Sequence, residues 1–466
     1  MKTRQLINLG IPKGPCIGSA RRALAQYSQA HPENRGSLAT PLSEVIADPD
    51  LFQSDAIFGI LAKQLILATE TQGSHEERLD PAPYTRWGKD LDEQSVQQMK
   101  NACRLPVSVA GALMPDAHVG YGLPIGGVLA TKNAVIPYAV GVDIACRMKM
   151  SVLDLPVSTL VEEPLRLKQA LERETRFGIG ACFKRKRQHP VLDEDWSFST
   201  TLARSKDKAW QQLGSSGSGN HFVEYGVLTL ERPDLGLDAG TYLALLSHSG
   251  SRGAGNRVAT HYSRIAAELH PELPKELIHL AWLDLDSHVG QEYWLAMELM
   301  GKYAAANHEL IHQHMVKHLG AEVLLDIENH HNFAWKERHL GQELIVHRKG
   351  ATPAGKAAIG IIPGTMATPG YVVRGKGNAK SLNSAAHGAG RRMSRTAAKK
   401  RFNWTDTKAF LAKRNVTLLS AGLDEAPMAY KDIDAVMAAQ SDLVDTIARF
   451  DPRIVKMAPA GERPED

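Results

Sequence analysis

Three stretches of this chain, residues 111–150, 214–257 and 350–391, are dense in Gly, His, Asn and Ser. They alternate with short apolar runs: Val135–Val142, Leu243–Leu246, Leu344–Val346 and Tyr371–Val373. Such stretches do not build long helices, because Gly opens left-handed backbone and Asn and Ser compete for backbone hydrogen bonds. They predict short strands joined by Gly-bearing loops, the places where sites are usually built. Helical spacing instead predicts helices within 42–69, over 156–176, near 258–270 and 290–319, and through most of 395–450. Strands and helices intermix without a regular βαβ repeat. The expected class is therefore α+β, one large domain with mixed sheets and flanking helices, rather than a doubly wound sheet. The polar, Pro-bearing segment 73–89 reads as a linker or long loop. It sets apart a mostly helical N-terminal segment, 1–90, expected to pack on a main domain, 91–466.

Composition narrows the function classes. Of 466 residues, 43% are hydrophobic and 23% charged, which fits a core-forming chain and not a disordered or coiled-coil one. No apolar run approaches the ~18 residues that span a bilayer. Asn8, Gly10, Pro12 and Lys13 interrupt any apolar stretch after Lys2 and Arg4, so no signal peptide is expected. Four scattered cysteines (Cys16, Cys103, Cys146, Cys182) argue for a reducing, cytoplasmic setting. The net charge, 55 − 51 = +4, is compatible with a nucleic-acid partner without arguing for one.

His308-Glu309-Leu310-Ile311-His312 is a literal H-E-x-x-H, which on a helix places two imidazoles on one face. It gives the alternative reading, a zinc metallopeptidase. The extended pattern is half met: His318 stands where a third His belongs, and Met315 replaces the turn-forming Gly. The plain reading is a partly solvated, His-rich helix face.

A second constellation is spread over five segments: Gly141-Val142-Asp143-Ile144-Ala145-Cys146, Ser216–Phe222, Ser247–Gly253, Asn329-His330-His331-Asn332 and Ser384–Arg392. Each alone is weak, since a His beside Gly is usually a loop residue. Together they supply carboxylate, thiolate and imidazole donors suited to Mn²⁺ or Zn²⁺. They suggest two-metal chemistry on phosphoryl groups, with Arg252, Arg391 and Arg392 supplying charge and Gly364, Gly388 and Gly390 close backbone. The run Arg391, Arg392, Arg395, Lys399, Lys400, Arg401 is a solvated helix or, beside a phosphate site, a contact for RNA backbone.

Longer motifs in the same region carry a resemblance. Met114-Pro115-Asp116-Ala117-His118-Val119-Gly120-Tyr121-Gly122, Gly141–Met148, Ser247–Gly253, His347–Thr352, Ile361–Met366 and His387–Arg395 are similar to the RtcB-type RNA ligase family, from about residue 95 to Asp424–Pro427 and on to Lys456. The resemblance implies an α+β catalytic domain, two Mn²⁺ ions and GTP. It implies a 3′-phosphate/5′-hydroxyl nucleic acid ligase, joining RNA ends that carry a 3′-phosphate or 2′,3′-cyclic phosphate to 5′-hydroxyl ends, on tRNA halves or broken RNA. It also leaves room for an archease-type activating partner.

Carried over by residue, Cys146 resembles the thiolate shared by both metals. His221 and His248 would complete one site, Asp143 and His331 the other. His387 matches the nucleophile that would take GMP from GTP. Arg252 resembles a phosphate-binding residue, and Asp116 sits in a motif linked to the active site. Asn220, Phe222, Val223 and Glu224 follow the nucleotide pattern around His221, with Glu224 placed to accept from a guanine edge; Asn332 follows His331. Pro363, Gly364, Thr365, Met366 and Gly370, with Gly388, Ala389 and Gly390 beside His387, would line phosphates and ribose. Tyr430 and Lys456 resemble guanine-side residues. Two departures are local: Thr365 stands where Ser is usual, and Ala145 and Arg147 flank Cys146 where Gly is usual. A third reading is a non-catalytic relative that binds RNA ends.

Overall fold

The computed structural model describes residues 1, 3–12, 15–34, 37–71, 78 and 80–462. Two mostly antiparallel sheets dominate it. The larger runs in the spatial order Ile359–Ile362, Gly370–Gly375, Val444–Met457, Phe222–Leu230, Gly240–Ser249, Arg147–Leu153, Val323–His330. The smaller runs Tyr84–Arg86, Ser108–His118, Ile125–Thr131, Gln342–Lys349, Asn332–His339. Tyr84–Arg86 pairs parallel to Ser108–His118, and Thr417–Ser420 parallel to Val444–Met457. This is the α+β architecture the intermixed pattern predicts.

The strands alternate as a two-sided sheet demands. Met148, Met150 and Val152 face one apolar layer with Ala244 and Leu246. Leu243 and Leu245 face the other, where Ile311, Met315 and Leu319 of the long helix His288–Leu319 cover the sheet. That helix starts at Ser287, whose side chain caps the Gly290 N–H, and stops at Gly320 in left-handed backbone.

Several expected elements differ. The 42–69 helix is two helices, Ala39–Ala47 and Gly59–Thr71, because Pro49 bars continuation. Pro164 likewise divides 156–176 into Thr159–Glu162 and Pro164–Glu174. Of the apolar run Val135–Val142, only its start lies in a strand (Ala134–Val135). Pro137 then opens a helical turn, Pro137–Val140. The 258–270 helix begins earlier, at Arg252. The C-terminal region is less helical than its spacing implies: Val444–Met457 is a strand inside the larger sheet, with a register shift at Pro452–Ile454. In the expected linker, 73–77 and 79 lie outside the described residues, and Tyr84–Arg86 is already a strand of the smaller sheet. Ahead of it, Thr3–Asn8, Pro15–Ala30, Ala39–Ala47 and Gly59–Thr71 share a core of their own built on Leu6, Leu24, Leu42, Val45 and Leu61.

Candidate active site

The sheet register assembles one cluster of donors. Cys146 immediately precedes the strand Arg147–Leu153, and His331 immediately follows Val323–His330; Arg147 and His330 are register partners. His331 is also the residue at which the chain leaves the larger sheet and enters the smaller one at Asn332. His248 pairs with Phe222, the residue after His221. Four donors from distant sequence therefore meet at one level of the sheet.

Cys146 Sγ lies 3.1 Å from His248 Nε2 and 3.4 Å from His221 Nε2. The ligand atoms of these three buried residues fall within 4.8 Å of one another. Asp143 Oδ2 is 3.0 Å from His221 Nε2, and its Oδ1 accepts from the Ser251 N–H at 3.0 Å. His331 Nε2 is 3.2 Å from His248 Nε2. Gly250 is needed here, because a Cβ would lie 2.2 Å from the Asp143 carboxylate oxygens.

The donor set fits a cation on its own evidence. His248 Nδ1 reaches the Asn220 carbonyl at 3.1 Å and must donate to it, so the neutral ring turns the Nε2 lone pair toward Cys146 and His331. Burial pulls the His248 imidazole down to about 3 and His331 well below its ordinary value, the neighbouring histidines adding to both. Burial pushes the Asp143 carboxyl up, but His221, Cys146 and Arg252 more than offset this and hold it low. The imidazoles of His248 and His331, a carboxylate and a sulfur converging at these distances could hold a metal ion.

Beside the cluster, His387 follows the short strand Ser384–Ala386, its ring 5.0 Å from that of His331. Asp116, fully buried, holds it. Asp116 Oδ2 accepts from His387 Nδ1 at 2.7 Å, the His387 N–H at 3.1 Å and the Gly388 N–H at 3.3 Å. The strand Ser108–His118 breaks register between Leu113 and His118, which frees Asp116 for this task. With the proton on Nδ1, the neutral ring carries its lone pair on Nε2. Gly390, at φ +72°, lets the following turn sit on Asp116, where a Cβ would lie 2.0 Å from its carbonyl oxygen.

Both sites open on one cavity of about 740 Å³, lined from both sheets, a size that suits a nucleotide. Asn220, His221, Phe222, Glu224, His331, Asn332, Pro363, Gly364, Thr365, Met366, Gly370, His387, Gly388, Ala389, Gly390 and Tyr430 all line it, with Asp143, Cys146 and His248. Burial raises the Glu224 carboxyl well above its ordinary range. The Thr365 hydroxyl is bonded to Thr368 Oγ1 at 2.9 Å. The Asn332 side chain spans two loops, accepting from the Gly350 N–H at 2.8 Å and donating to the Asp143 carbonyl at 3.3 Å. Ala145, where a Gly was noted as usual, has φ +57°, which explains that preference.

Three expected contacts sit elsewhere. Val223 alternates with Phe222 and Glu224 and points into the opposite core. Lys456 is its cross-strand partner, shares that face, and donates to the Leu171 carbonyl at 3.1 Å. Arg252 is 1% exposed, at φ +56°, and donates to Ser215 Oγ at 3.1 Å and the Gly178 carbonyl at 2.9 Å. It braces the loops behind Asp143 and is not among the residues lining the cavity.

The long helix corrects the other motif. His308 and His312 are buried, not partly solvated. Ser247 Oγ lies 2.7 Å from His308 Nδ1 and 2.8 Å from His312 Nε2. The remaining nitrogens meet the Ser249 carbonyl at 3.0 Å and Ser151 Oγ at 2.7 Å. All four nitrogens are committed, and Glu309 faces away toward His189. His330 packs between Phe333 and Trp335, which leaves His331 as the donor of that pair. His347 Nε2 accepts from the Ile136 N–H and its Nδ1 meets the Leu129 carbonyl, a structural cross-tie.

Lys349, which lines the cavity, was quoted in a motif without a role. Burial lowers the Lys349 ammonium to about 7, and its Nζ donates to the Tyr121 carbonyl at 2.5 Å. The signal was a run of polar residues, His347-Arg348-Lys349, directly after the apolar run Leu344–Val346 of the same strand. Arg391 and Arg395 line the wall with Glu425 and Tyr430. Arg395 pairs with Glu425, and Arg391 donates to the Tyr430 hydroxyl at 3.2 Å.

The chain was compared with known proteins. The family model described as "tRNA-splicing ligase RtcB" matches residues 98–457. The chain is 35% identical over 397 residues to "RNA-splicing ligase RtcB" of Escherichia coli K12, covering 78% of this chain and 95% of that one. It is 33% identical to "RNA-splicing ligase RtcB" of Mycobacterium tuberculosis, over 76% and 98% of the two chains. It is 31% identical to "tRNA-splicing ligase RtcB" of Nanoarchaeum equitans, over 78% and 91%. The family match spans the larger sheet, the smaller sheet except Tyr84–Arg86, the donor cluster and the Asp116–His387 pair, and the chain belongs to the RtcB family.

Proposed function

We propose that this chain is a GTP-dependent RNA ligase that joins RNA 3′-phosphate or 2′,3′-cyclic phosphate ends to 5′-hydroxyl ends. The observation that carries the reading is Asp116 fixing the tautomer of His387 at the wall of a nucleotide-sized cavity shared with the donor cluster. In this mechanism His387 Nε2 attacks the α-phosphorus of GTP, a P–N bond forms, and pyrophosphate leaves. A 2′,3′-cyclic phosphate end is first opened by water, which breaks its P–O2′ bond and leaves a 3′-phosphate and a 2′-hydroxyl; the RNA 3′-phosphate then takes the GMP from His387, and the 5′-hydroxyl displaces GMP to form the phosphodiester. Covalent transfer splits one hard displacement into easier steps. Asp116 supports the positive charge that grows on the ring during attack.

Cys146 would be shared by two Mn²⁺ ions, with His221 and His248 completing one site and Asp143 and His331 the other. Bound there, the metals supply Lewis-acid stabilisation of phosphoryl oxygens. Glu224 offers an acceptor to the guanine edge, and Thr365 and the turns 363–366 and 387–390 offer hydroxyl and backbone donors to phosphates and ribose. Arg391, Arg395 and Lys349 provide positive charge for the RNA ends. The substrates in this reading are tRNA halves or broken RNA, the setting cytoplasmic, and repeated turnover is open to an archease-type activator.

The test is incubation with α-radiolabelled GTP and Mn²⁺, followed by a denaturing gel. A labelled band in the wild type that is lost in His387→Ala is the expected result. Labelling that survives in the variant removes His387 as nucleophile. A wild type that binds metal and RNA without labelling returns the non-catalytic reading.

A further inference from the structure

At one rim of the cavity, the connection between Ser108–His118 and Ile125–Thr131 carries Tyr121, whose side is 67% exposed although it lines the cavity. Val119, two residues earlier, is also exposed. A large aromatic in an exposed loop is ordinarily mobile, but this loop is pinned. Gln98 accepts from the Gly120 N–H at 3.1 Å, and its amide donates back to the Gly120 carbonyl. Lys349 Nζ holds the Tyr121 carbonyl from below. Gly122, at φ +69°, presses the loop against His279, where a Cβ would lie 2.7 Å from the carbonyl oxygen.

Tyr121 belongs to an aromatic group. Its ring centroid is 6.4 Å from Tyr138 and 5.8 Å from His279, and Tyr138 is 4.8 Å from His279. The rings are tilted by 55–74° and do not stack on one another. Lys349 Nζ lies 5.9 Å from the Tyr138 ring, placing a cation beside the aromatic surface. Nothing in the proposed chemistry uses these rings. A fixed, exposed aromatic face next to a cation, at the mouth of a phosphate-handling cavity, is the pairing that single-stranded nucleic acids require: stacking for the base, charge for the backbone.

We propose that Tyr121, backed by Tyr138 and His279, is a stacking platform for the terminal nucleobase of an RNA end entering the cavity. The proposal rests on the RNA-ligase reading for its ligand. Because stacking accepts any base, the platform would position an end without selecting its sequence. Because the loop is already fixed, binding would not have to order it.

The experiment uses the full chain with Mn²⁺ and single-stranded RNA carrying 2-aminopurine at its terminus. One arm places the probe at a 5′-hydroxyl end, the other at a 3′-phosphate end, and matched RNAs carry an abasic terminus. In the arm that seats on Tyr121, binding quenches the fluorescence. Tyr121→Ala removes the quenching and weakens that RNA by about 5- to 150-fold, while Tyr121→Trp keeps both. The abasic RNA binds wild type and Tyr121→Ala alike. The proposal is overturned if an abasic terminus binds the wild type as tightly as a base-bearing one in both arms, or if Tyr121→Ala weakens both kinds of RNA equally. Quenching is read without turnover. A wild type that quenches but does not take label from GTP therefore refutes the ligase chemistry and leaves the platform standing.

Discussion

Replacing Asp116 by Asn separates the charge of this residue from its shape. One oxygen, Oδ2, takes all three hydrogen bonds from His387 and Gly388. The other, Oδ1, is buried without a partner among the described residues. An Asn can therefore place its oxygen on the three donors and preserve the geometry and tautomer of His387. What it loses is the negative charge behind the Nδ1–H. A hydrogen bond to a charged group is worth about 1.5–3 kcal/mol and a neutral one about 0.5–1.5, so the charge alone contributes about 1–1.5 kcal/mol, a loss of about 5- to 13-fold in the rate of His387 guanylylation. The amide NH₂ must then occupy the Oδ1 slot unpaired, a further cost in stability of about 1–3 kcal/mol. The assay is single-turnover GMP labelling at saturating GTP, with thermal unfolding alongside. The expected variant is folded, less stable, and slow in labelling. A purely structural role predicts that Asn restores the rate lost in Asp116→Ala. An Asn variant within about twofold of wild type would refute the electrostatic argument.

Other outcomes follow from the same geometry. Lys349 carries its charge only below about pH 7. RNA-end binding should therefore weaken as pH rises through that value, and Lys349→Arg, whose guanidinium stays charged, should flatten the profile in a fluorescence titration. The stability effect has the opposite sense: the unfolded lysine holds its proton to about 10.4, so this group makes stability rise with pH between about 7 and 10.4. Glu224→Gln puts an amide, which cannot ionise against guanine N–H donors, in place of the buried carboxyl, and should reduce GTP-over-ATP discrimination by about 10- to 100-fold in competition labelling; unchanged discrimination would take the guanine from this wall. Cys146→Ala should cut bound Mn²⁺ more than loss of any single histidine, read by metal analysis after dialysis, because the proposed arrangement has both metals share its sulfur. His308→Ala with His312→Ala should retain metal but lower stability, since Ser247 and Ser151 lose their buried partners; metal lost together with those side chains would revive the peptidase reading.

The site was legible in the sequence to the extent that its groups sit in ordered motifs. His221, His248, His331 and His387 each have a Gly, Ser or Asn neighbour where a loop meets a strand end, and Asp143 and Cys146 share the turn that opens at Gly141. That local pattern is visible without a fold. What was not legible depends on which way a strand faces. Val223 and Lys456 lie inside nucleotide-like motifs, yet the pleat turns both from the cavity while Phe222, Glu224 and Met457 face it. Arg252 sits in a phosphate-like motif, yet the left-handed turn that starts its helix sends the guanidinium into the loops behind Asp143. The helical H-E-x-x-H failed for a related reason. Its period put two histidines on one face, but not what that face meets, which is a pair of serines on the covered side of the larger sheet. The C-terminal strand was hidden because Pro452 and the apolar pairs Ile447-Ala448 and Ile454-Val455 break its alternation.

The same register that misled single positions is what makes the site possible. Arg147–Leu153 lies between Gly240–Ser249 and Val323–His330, with Arg147 opposite both Ser249 and His330. Cys146, His248 and His331 are each one residue from those partners. A slip of one residue in either pairing would move a donor by about 3.3 Å and turn the strand's side chains from one covered face of the sheet to the other. Met148, Met150 and Val152, which pack the apolar layer, therefore fix the placement of the donors as well as the sheet. The strained position lies just before the strand, where Ala145 holds positive φ and its N–H is bonded to the Asn332 carbonyl at 2.7 Å. That bond links the Cys146 loop to the residue that follows His331, and Asn332 in turn braces Gly350 and the Asp143 backbone. The donor cluster is thus held from the sheet on one side and from Asn332 on the other. Neither apolar packing nor the polar brace alone would set all five groups at ligand distance.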